Sequence, residues 1–523
     1  MARFLTILEV SQKQAYIFAS NKVQDNIVNS AVIAHVLSPK YLSEVLTMVG
    51  YSDEKNMVYS GGGHTILEFD DLHNSRECAE KITETVYRDF EGLEIFVKTI
   101  EYNEANSPEE NLKNLTKALE RKKSVRKSSF KHGSFGIEKI NADTLDVKAL
   151  KDEGKEDAKA AIKDTEYNET AKEFTAEGYH PIYKFEDLGG SKGESNFISV
   201  VHIDGNGMGK RVENLYRDIN TTDWSEVKKM LRSFSDGIDE DFKSAYKEMT
   251  VEIAEILKEE KISEKLCLKS NNFPIRRIIT AGDDICFVTE GRIGIECARI
   301  FIEKLCEKKN KVDNASYGAC AGVAIVHQKY PFYRAYELAE LLCSNAKKFG
   351  AGISPEDNGS SISSIDWHIE FGELKDTLQE IRQEYETNDG NRLELRPYIV
   401  NAPENIINDK KYTLNIYNNF KRVISALQNN ESTYGTGKIK ELRSALKKGE
   451  IATANYLEFN RMTDILVANK PGGVAKEDLM RLFTGSTDKN TAFVDNADGR
   501  KHSILFDSIE LMDTYIVMER RDE

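Results

Sequence analysis

The length, composition and charge of the chain limit what kind of protein it can be. Its 523 residues exceed what one hydrophobic core usually serves, which predicts about three or four domains. Hydrophobic residues make up 40% and charged residues 30%, as is typical of globular proteins. The net charge of −15 argues against a general polyanion-binding surface, but it is compatible with a nucleotide pocket in which metal ions offset the phosphate charge.

The first hundred residues predict a β-α-β-β-α-β unit. An apolar run at 4–10 is typical of a buried strand, and apolar residues at helical spacing follow it to about residue 47. A glycine-rich turn at 60–64 between two apolar runs predicts a hairpin. A helix at about 76–90 and a strand at 93–100 complete the unit. This order is the ferredoxin-like arrangement.

The same order of elements recurs in the middle of the chain. The recurrence consists of a strand at 197–203, a helix at about 224–260, a hairpin around 281–284, a helix at about 292–308 and a strand at 317–326. We interpret this as a second, diverged copy of the same unit. Two such copies side by side would form a pseudo-symmetric pair.

The segments outside the two units are predicted to be mainly helical. A polar segment at 104–195 contains the basic run 121–127, followed by acid- and lysine-rich helix formers. After the second unit the chain looks mostly helical, with clear stretches at 374–386 and 439–448. Turns rich in Gly, Pro, Asn and Asp interrupt it.

Cysteine usage and hydropathy indicate the compartment. The seven cysteines contain no CxxC spacing, so a zinc ribbon or a thioredoxin-like motif is not expected, and their odd number suits a reducing environment. The first residues do not resemble a signal peptide because Glu9 interrupts a short apolar run. No stretch is long and apolar enough to span a membrane. We therefore expect a cytoplasmic protein without a membrane partner.

Two acidic motifs of the second unit are predicted to meet. One strand ends at Asp204, and the hairpin carries Asp283 and Asp284 at the start of another strand. In a ferredoxin-like sheet the first strand is antiparallel to the third, so the end of one lies beside the start of the other. Three carboxylates in that position would repel one another unless a cation lay between them. Each motif alone is also compatible with an ordinary turn.

The expected chemistry is two-metal phosphoryl transfer. Carboxylate oxygens favour Mg²⁺ or Mn²⁺, and two such ions can stabilise both the attacking and the leaving oxygen. The glycine-rich turn predicted at 205–209 offers backbone N–H groups that can cradle a triphosphate. It is not a P-loop, because Arg211 follows Lys210 where Ser or Thr is required. Lys347 on a later helix could reach the phosphates, although such a lysine is more often a solvated surface residue.

At these residues the chain resembles a known family, the large palm-domain subunit of type III CRISPR effector complexes (the CRISPR polymerase family). The segments 17–22 and 61–63 are similar to its first palm domain, and 364–368 is similar to the segment after its second. The two motifs that carry the resemblance most strongly are Ala281-Gly282-Asp283-Asp284 and Asp204-Gly205-Asn206-Gly207-Met208-Gly209. Ala281 replaces a glycine, and Asn206 replaces an aspartate that is frequent in one branch, so one metal contact is expected either to be weaker or to come from a backbone carbonyl.

The resemblance implies a site. The implied catalytic residues are Asp204, Asp283 and Asp284, and the implied metal ligands are the same three with Ile203. The expected nucleotide-binding residues are Gly205, Asn206, Gly207, Gly209, Gly282 and Lys347, together with Gly61, Gly62 and Gly63 in the first unit. The first unit has only Glu9 as a strand carboxylate and the neutral His64 in its hairpin, so we expect it to bind a second nucleotide without holding two metal ions.

The resemblance also implies a function. It predicts a nucleotidyltransferase that joins ATP, or another NTP, into cyclic oligoadenylate messengers in antiviral defence. RNA or protein subunits of an effector complex are possible partners, and the basic run 121–127 could contact either, although a solvated helix surface is the commoner explanation. The chain carries no His-Asp pair and no cysteine pairs, so we expect a compact form without the nuclease domain or a zinc-binding insert. Such a form could act within a CRISPR complex or outside one. A mono- or dinucleotide cyclase and a non-catalytic nucleotide-binding scaffold remain alternatives.

The predicted fold class is therefore α+β, with two ferredoxin-like palm domains, a helical insert and a C-terminal helical domain. The expected domains are a degenerate first palm at 1–103, the polar insert at 104–195, the catalytic second palm at 196–370 and the helical domain at 371–523.

Overall fold

The fold is described for most of the chain. The computed structural model describes residues 2–20, 23–125, 137, 158–190, 196–218, 223–269, 271–371, 377–462, 464–469, 476–485, 491–496 and 498–519. Within these residues two larger sheets are flanked by helices, so the predicted α+β class is confirmed. Every helix in the described part of the chain is too short or too polar to cross a lipid bilayer.

The first domain is a four-stranded antiparallel sheet in the order β2-β3-β1-β4, which confirms the predicted ferredoxin-like unit. Its elements are β1 (Phe4–Ser11), α1 (Lys13–Ile17), α2 (Val23–Val36), α3 (Pro39–Leu46), α4 (Asp53–Asn56), β2 (Met57–Gly61), β3 (His64–Phe69), α5 (Leu72–Asp89) and β4 (Glu94–Glu101). The continuous apolar run of β1 arises because both faces of the sheet are covered. Leu8 and Val10 pack into one hydrophobic cluster, and Leu5 and Ile7 pack into another.

The insert begins with a helix that packs on the first sheet. Helix α6 (Pro108–Ser124) is capped by Ser107, whose side chain accepts a hydrogen bond from the backbone N–H of Glu110. Leu112, Leu115 and Leu119 share a core with Leu5 and Ile7, which explains why the helix covers that face. Helices α7 (Ala158–Thr165) and α8 (Ala171–Glu173) follow. The predicted helical character of 126–136 and 138–157 lies outside the described residues.

The second domain repeats the arrangement and enlarges it. Its elements are β5 (Phe197–Gly205), α9 (Met208–Asp218), α10 (Trp224–Ile256), α11 (Glu260–Leu266), β6 (Ile275–Ala281), β7 (Asp284–Glu290), α12 (Gly294–Cys306), β8 (Ala319–His327), α13 (Phe332–Ile353) and β9 (Ser363–Glu370). The strands β8-β5-β7-β6 reproduce the ferredoxin-like order, and β9 adds to β8 in parallel after the α13 crossover. The second predicted unit is thus confirmed.

One local prediction in this domain is wrong. The glycine-rich turn was expected to reach Gly209, but α9 already begins at Met208, so Gly209 lies in the first turn of that helix. The turn is shorter because Gly207, with a φ of +67°, reverses the chain two residues after the last residue of the strand. Met208, Val212 and Leu215 then follow at the spacing of one helix face.

The C-terminal region is mainly helical and also contains strands. Its elements are α14 (Leu378–Gln383), β10 (Tyr398–Asn401), α15 (Glu404–Ile407), α16 (Tyr417–Asn429), α17 (Glu431–Tyr434), α18 (Thr436–Lys448), α19 (Glu450–Phe459), β11 (Val467–Asn469), β12 (Lys476–Asp478), α20 (Leu479–Thr484), β13 (Phe493–Asp495), β14 (Lys501–Ser503) and α21 (Phe506–Leu511). The helix predicted at 439–448 lies within α18. The one predicted at 374–386 is observed only as α14, because Thr377 caps its start and the helix ends at Gln383; residues 374–376 lie outside the described part of the chain. Strand β10 pairs with β9, so the second sheet extends past residue 371.

The C-terminal region shares a core with the second palm sheet. The ring of Trp367 on β9 stacks on Tyr398 of β10, with centroids 5.2 Å apart. The guanidinium of Arg396 lies 5.4 Å from the Trp367 ring centroid and forms an ion pair with Glu510 at 2.6 Å. The side chains of Arg396 and Glu510 are fully or almost fully buried, so they stabilise each other only while the two regions stay packed.

Candidate active site

The three aspartates predicted from the sequence lie together at one edge of the second sheet. Asp204 is the penultimate residue of β5 and stands opposite Asp284, the first residue of β7, in the antiparallel ladder. The backbone N–H of Gly205 donates to the carbonyl of Asp283 at 3.1 Å, which ties the strand end to the hairpin. A Cβ atom at Gly205 would lie 2.9 Å from the Asp283 Cβ, so the close approach requires glycine.

Burial and the charge of Asp204 raise the pKa values of the two hairpin aspartates. Burial raises the pKa of Asp283 to about 6, and the negative charge of Asp204 adds to the rise. Burial raises the pKa of Asp284 to about 7, again with Asp204 as the next cause. The Asp284 side chain is 43% exposed as a whole, but its Oδ1 is closed off from water and has no hydrogen-bond partner among the described residues. The pKa of Asp284 therefore rises because its Oδ1 is buried and because Asp204 is negatively charged.

A histidine that the sequence analysis did not single out lies beneath Asp284. His202 precedes Asp204 by two residues on β5, so both side chains are on the same face of the strand. Its Nδ1 is 3.5 Å from Asp284 Oδ1, and burial lowers the pKa of His202, which keeps the ring neutral. A neutral ring at this distance leaves the carboxylate without a full counter-charge. The period of two along β5 was the signal that could have identified it.

Lys347 contacts the strand end. Its Nζ lies 2.6 Å from Asp204 Oδ2 and donates to the carbonyl of Gly205 at 2.9 Å. Burial opposes the charge of this lysine, but the attraction of Asp204 outweighs it and raises the pKa of Lys347. The lysine on α13 is thus ion-paired rather than solvated, and it holds Asp204 in place.

Asn206 and Ile203 face the protein interior. The Asn206 backbone N–H donates to Gly318 O at 2.8 Å, and its side-chain Nδ2 donates to Ile362 O at 2.8 Å. Both kinds of donor on Asn206 are therefore used inside the protein. The Ile203 side chain is fully buried, so only its backbone carbonyl remains as a potential ligand. Gly209 borders the cleft described below, with open space around its Cα.

The donor set at the sheet edge suits a hard cation. Among the described residues no three His, Cys, Asp or Glu side chains are already clustered in the manner of a metal site. The fit rests instead on Asp284 Oδ1, a buried oxygen without a donor, and on two carboxyl groups whose pKa values are raised by burial and by Asp204. A divalent cation bound by Asp204, Asp283 and Asp284 would offset that repulsion.

The first palm repeats the geometry of the second with different charges. Glu9 on β1 stands opposite His64 on β3, in the same register as Asp204 and Asp284. Lys123 on α6 lies 2.8 Å from Glu9 Oε1, so the helix after the fourth strand supplies a lysine here too. The basic run 121–127 is therefore partly used inside the protein, and its last two residues lie outside the described part of the chain. Sequence analysis missed this pair because the two residues are 114 positions apart.

A large cleft separates the two palms. It has a volume of about 2350 Å³, and its walls include Lys13, Gly61–Gly63, His64 and the hairpin 282–284. Ligand pockets usually measure roughly 300–1,000 Å³, so the cleft has room for more than one nucleotide. A Cβ atom at Gly282 would lie 3.6 Å from the backbone N of Gly62, so the two hairpin tips meet. Among the described residues, Asp204 and Lys347 do not line the cleft.

We expect Asp283 and Asp284, whose pKa values are raised, to make the stability of the fold depend on pH. Both pKa values are higher in the fold than the ordinary value of 3.8, so their contribution to the free energy of unfolding is fully present below about pH 4 and is lost as the pH rises through about 6 and 7. Thermal unfolding of the wild type should show this loss, and Asp283→Asn with Asp284→Asn should reduce it.

Divalent metal should oppose the loss. Because metal ligands must be deprotonated, added Mn²⁺ or Mg²⁺ should raise the melting temperature most near pH 7 and above. Asp495→Asn, at an exposed position on β13, is a matched control that should leave the pH profile unchanged. The same pH slope in the wild type and in the Asp283/Asp284 double variant would contradict the assignment.

Comparison with known proteins identifies the second palm. Residues 197–352 match the family model described as Cas10/Cmr2, second palm domain. Among curated protein sequences, none matches this chain. The resemblance inferred from the motifs is therefore confirmed for the domain that holds the three aspartates.

Solved structures extend the similarity to the fold of the whole chain. The chain is similar to a Csm1–Csm4 cassette in complex with pppApApA, with 14% identity and a TM-score of 0.53, covering 98% of this chain and 69% of that one. It is also similar to Csm1 of T. onnurineus, with 16% identity and a TM-score of 0.52, covering 98% and 70%. A third similar structure is a Csm1–Csm4 cassette in complex with AMPPNP, with 14% identity and a TM-score of 0.51, covering 98% of this chain and 70% of that one. This chain spans between 54% and 70% of the length of such structures, and these identities show the fold alone.

Proposed function

We propose that the protein is a nucleotidyltransferase that joins ATP, or another NTP, into cyclic oligonucleotides at the second palm. One observation carries the proposal: Asp204 stands opposite Asp284 and beside Asp283, at the point where the hairpin enters a cleft large enough for two nucleotides. The relatives that share the fold include cassettes in complex with pppApApA and with AMPPNP, which are ligands of the same chemical class.

Asp204, Asp283 and Asp284 are the residues that would hold Mg²⁺ or Mn²⁺ in this proposal. Bound there, two ions would stabilise the attacking and leaving oxygens of phosphoryl transfer. Lys347 keeps Asp204 oriented through its ion pair, and Gly205 allows the strand end and the hairpin to approach closely. The chain's own contribution is thus to fix three carboxylates at one sheet edge before the substrate arrives.

The two palms are assigned different tasks. Phosphoryl transfer needs one nucleotide whose phosphate is attacked and another that offers a hydroxyl. The second palm carries the free carboxylates, so we place the attacked triphosphate there. In the first palm Lys123 already neutralises Glu9, and the hairpin presents glycines and a histidine. We place the hydroxyl donor on that side of the cleft.

The similarity to solved structures also suggests a protein partner. Two of the three similar structures are assemblies of Csm1 with Csm4, so a Csm4-like subunit is the first candidate partner for this chain. Activation by RNA through such an assembly, in antiviral defence, is the further expectation from the family.

Product analysis tests the proposal. The purified chain, alone and with a candidate Csm4-like subunit, is incubated with each NTP and Mg²⁺ or Mn²⁺, and the products are separated and identified by mass. Cyclic oligonucleotides are expected. Cyclic mono- or dinucleotides would favour the narrower cyclase, and binding of ATP without any phosphodiester product in both preparations would favour the scaffold.

The glycine at the first hairpin tip should matter more than the histidine beside it. Gly62 has a φ of +59°, which asparagine tolerates better than other residues, so Gly62→Asn adds bulk with little backbone strain. It should slow joining by roughly 10-fold or more by obstructing the donor nucleotide. The matched change His64→Ala should have a smaller effect, and steady-state rates with binding of the first metal–nucleotide complex measure both. Equal rates for Gly62→Asn and the wild type would contradict the donor assignment.

A further inference from the structure

The pseudo-symmetry of the palms identifies an equivalent pair of residues at the start of two helices. In each palm a residue with a left-handed backbone lies three positions after the carboxylate that faces the hairpin, Glu9 or Asp204. These residues are Gln12, with a φ of +50°, and Gly207, with a φ of +67°. The next residue begins a helix, Lys13 in α1 and Met208 in α9. The same backbone position therefore carries a cation in the first palm and a neutral thioether in the second.

The first hairpin is shaped around the Lys13 side chain. Its Nζ donates to the carbonyl of Gly62 at 2.6 Å. A Cβ atom at Gly63 would lie 1.9 Å from Nζ and 2.2 Å from Cε, so any side chain there would displace the lysine. The ammonium group is consequently held at the tip of the hairpin, where the first palm meets the hairpin of the second.

Contacts to the second palm fix this position. The neighbouring Gln14 donates from Nε2 to Glu340 Oε1 on α13 at 2.7 Å, so α1 is anchored across the cleft. Burial lowers the pKa of Lys13, while the negative charges of Glu9, Asp284 and Asp283 act in the opposite direction. The lysine thus lies within the electrostatic field of the aspartates of the other domain.

We propose that Lys13 is a phosphate-contacting cation that the first palm supplies to the nucleotide held by the second palm. The inference rests on the proposed function and adds a residue to it. A triphosphate at the Asp283–Asp284 hairpin would bring its negative charge to the point where Gly62 and Gly282 meet, and Lys13 is fixed at that point as a compact charge. Carboxylates on one domain and a cation on the other make the site complete only when both palms are docked.

The test compares three variants of the full chain. Lys13→Met removes the charge and keeps most of the side-chain length, Lys13→Arg keeps the charge, and Lys117→Met removes a charge from the exposed rim of the same cleft. The measurements are product formation, the melting temperature, and the affinities for a non-hydrolysable ATP analogue and for AMP in the presence of Mn²⁺.

Lys13→Met is expected to reduce kcat/KM by about 100-fold and to lower the affinity for the triphosphate analogue by about 10-fold, while the affinity for AMP stays unchanged. Lys13→Arg should recover part of both losses, and Lys117→Met should behave as the wild type. A purely structural lysine would instead lower the melting temperature and leave the ratio of triphosphate to AMP affinity unchanged, which would overturn the inference.

The two proposals fail separately. Normal product formation by Lys13→Met would overturn the role of Lys13 and leave the proposed function intact. If the wild type makes no product, the proposed function fails, and the affinity ratio alone decides on Lys13. The proposed role of Lys13 would then be overturned by equal ratios of triphosphate to AMP affinity in the wild type and Lys13→Met. Failure of the wild type to bind the triphosphate analogue would overturn it as well.

Discussion

Replacing Asp283 and Asp284 together with alanine is expected to abolish nucleotide joining while the protein keeps its fold. The two side chains stand at the hairpin in the cleft wall, and the free oxygen of Asp284 is the donor best suited to a cation. Without them the second palm retains Asp204 alone, already paired with Lys347. Product formation should fall by more than about 10³-fold, since a preorganised electrostatic site is removed entirely.

The same double variant should be at least as stable as the wild type near neutral pH without metal. In the wild type, burial and the negative charge of Asp204 disfavour the charged forms of Asp283 and Asp284 at that pH, and the double variant removes both groups. Product assays and thermal unfolding are therefore measured on one preparation. Retained activity in a folded double variant would refute the palm active site, and a lower melting temperature would refute the proposed repulsion.

Asp204→Asn is expected to reduce kcat by about 10²–10³-fold and to increase the metal concentration needed for half-maximal rate. The substitution keeps the shape of the side chain but removes the charge that pairs with Lys347 at 2.6 Å and faces Asp284 across the ladder. Since Asp204 is the next cause after burial of the raised pKa values at Asp283 and Asp284, both values should fall toward 3.8 in the variant.

Glu9→Gln is the matched control for Asp204→Asn. Glu9 occupies the same register in the first sheet and is also paired with a lysine, at 2.8 Å. Glu9→Gln should reduce activity much less, because the first hairpin has no carboxylate beside Glu9. A metal titration of each variant, followed by product formation, separates the two sites. Comparable losses for Glu9→Gln and Asp204→Asn would mean that both palms take part in catalysis.

The repeated fold and the approach of the aspartates could be predicted because they depend on local patterns. Apolar runs and glycine-rich turns revealed the two β-α-β-β-α-β units, and antiparallel pairing of the first and third strands placed Asp204 beside Asp284. The shortened turn at Gly209 was missed because helix starts depend on the single backbone reversal at Gly207, which composition does not reveal.

The partners of the charged residues could not be predicted in the same way. Lys123 reads as part of a basic surface run until α6 is seen to pack on the first sheet, where it contacts Glu9. Lys13 gains its position only from the hairpin carbonyl of Gly62 and from the space left by Gly63. Such contacts join segments that are distant in the sequence, so no periodicity within one element carries them.

The packing of Trp367 against the C-terminal region has a consequence for how the second palm folds. A chain that stopped at residue 370 would lose Tyr398 and Arg396 together, which would uncover the indole of a central sheet. Loss of the segment around Glu510 alone would leave Arg396 buried without its acidic partner. We therefore expect the second palm and the C-terminal helices to unfold together in a single transition rather than domain by domain.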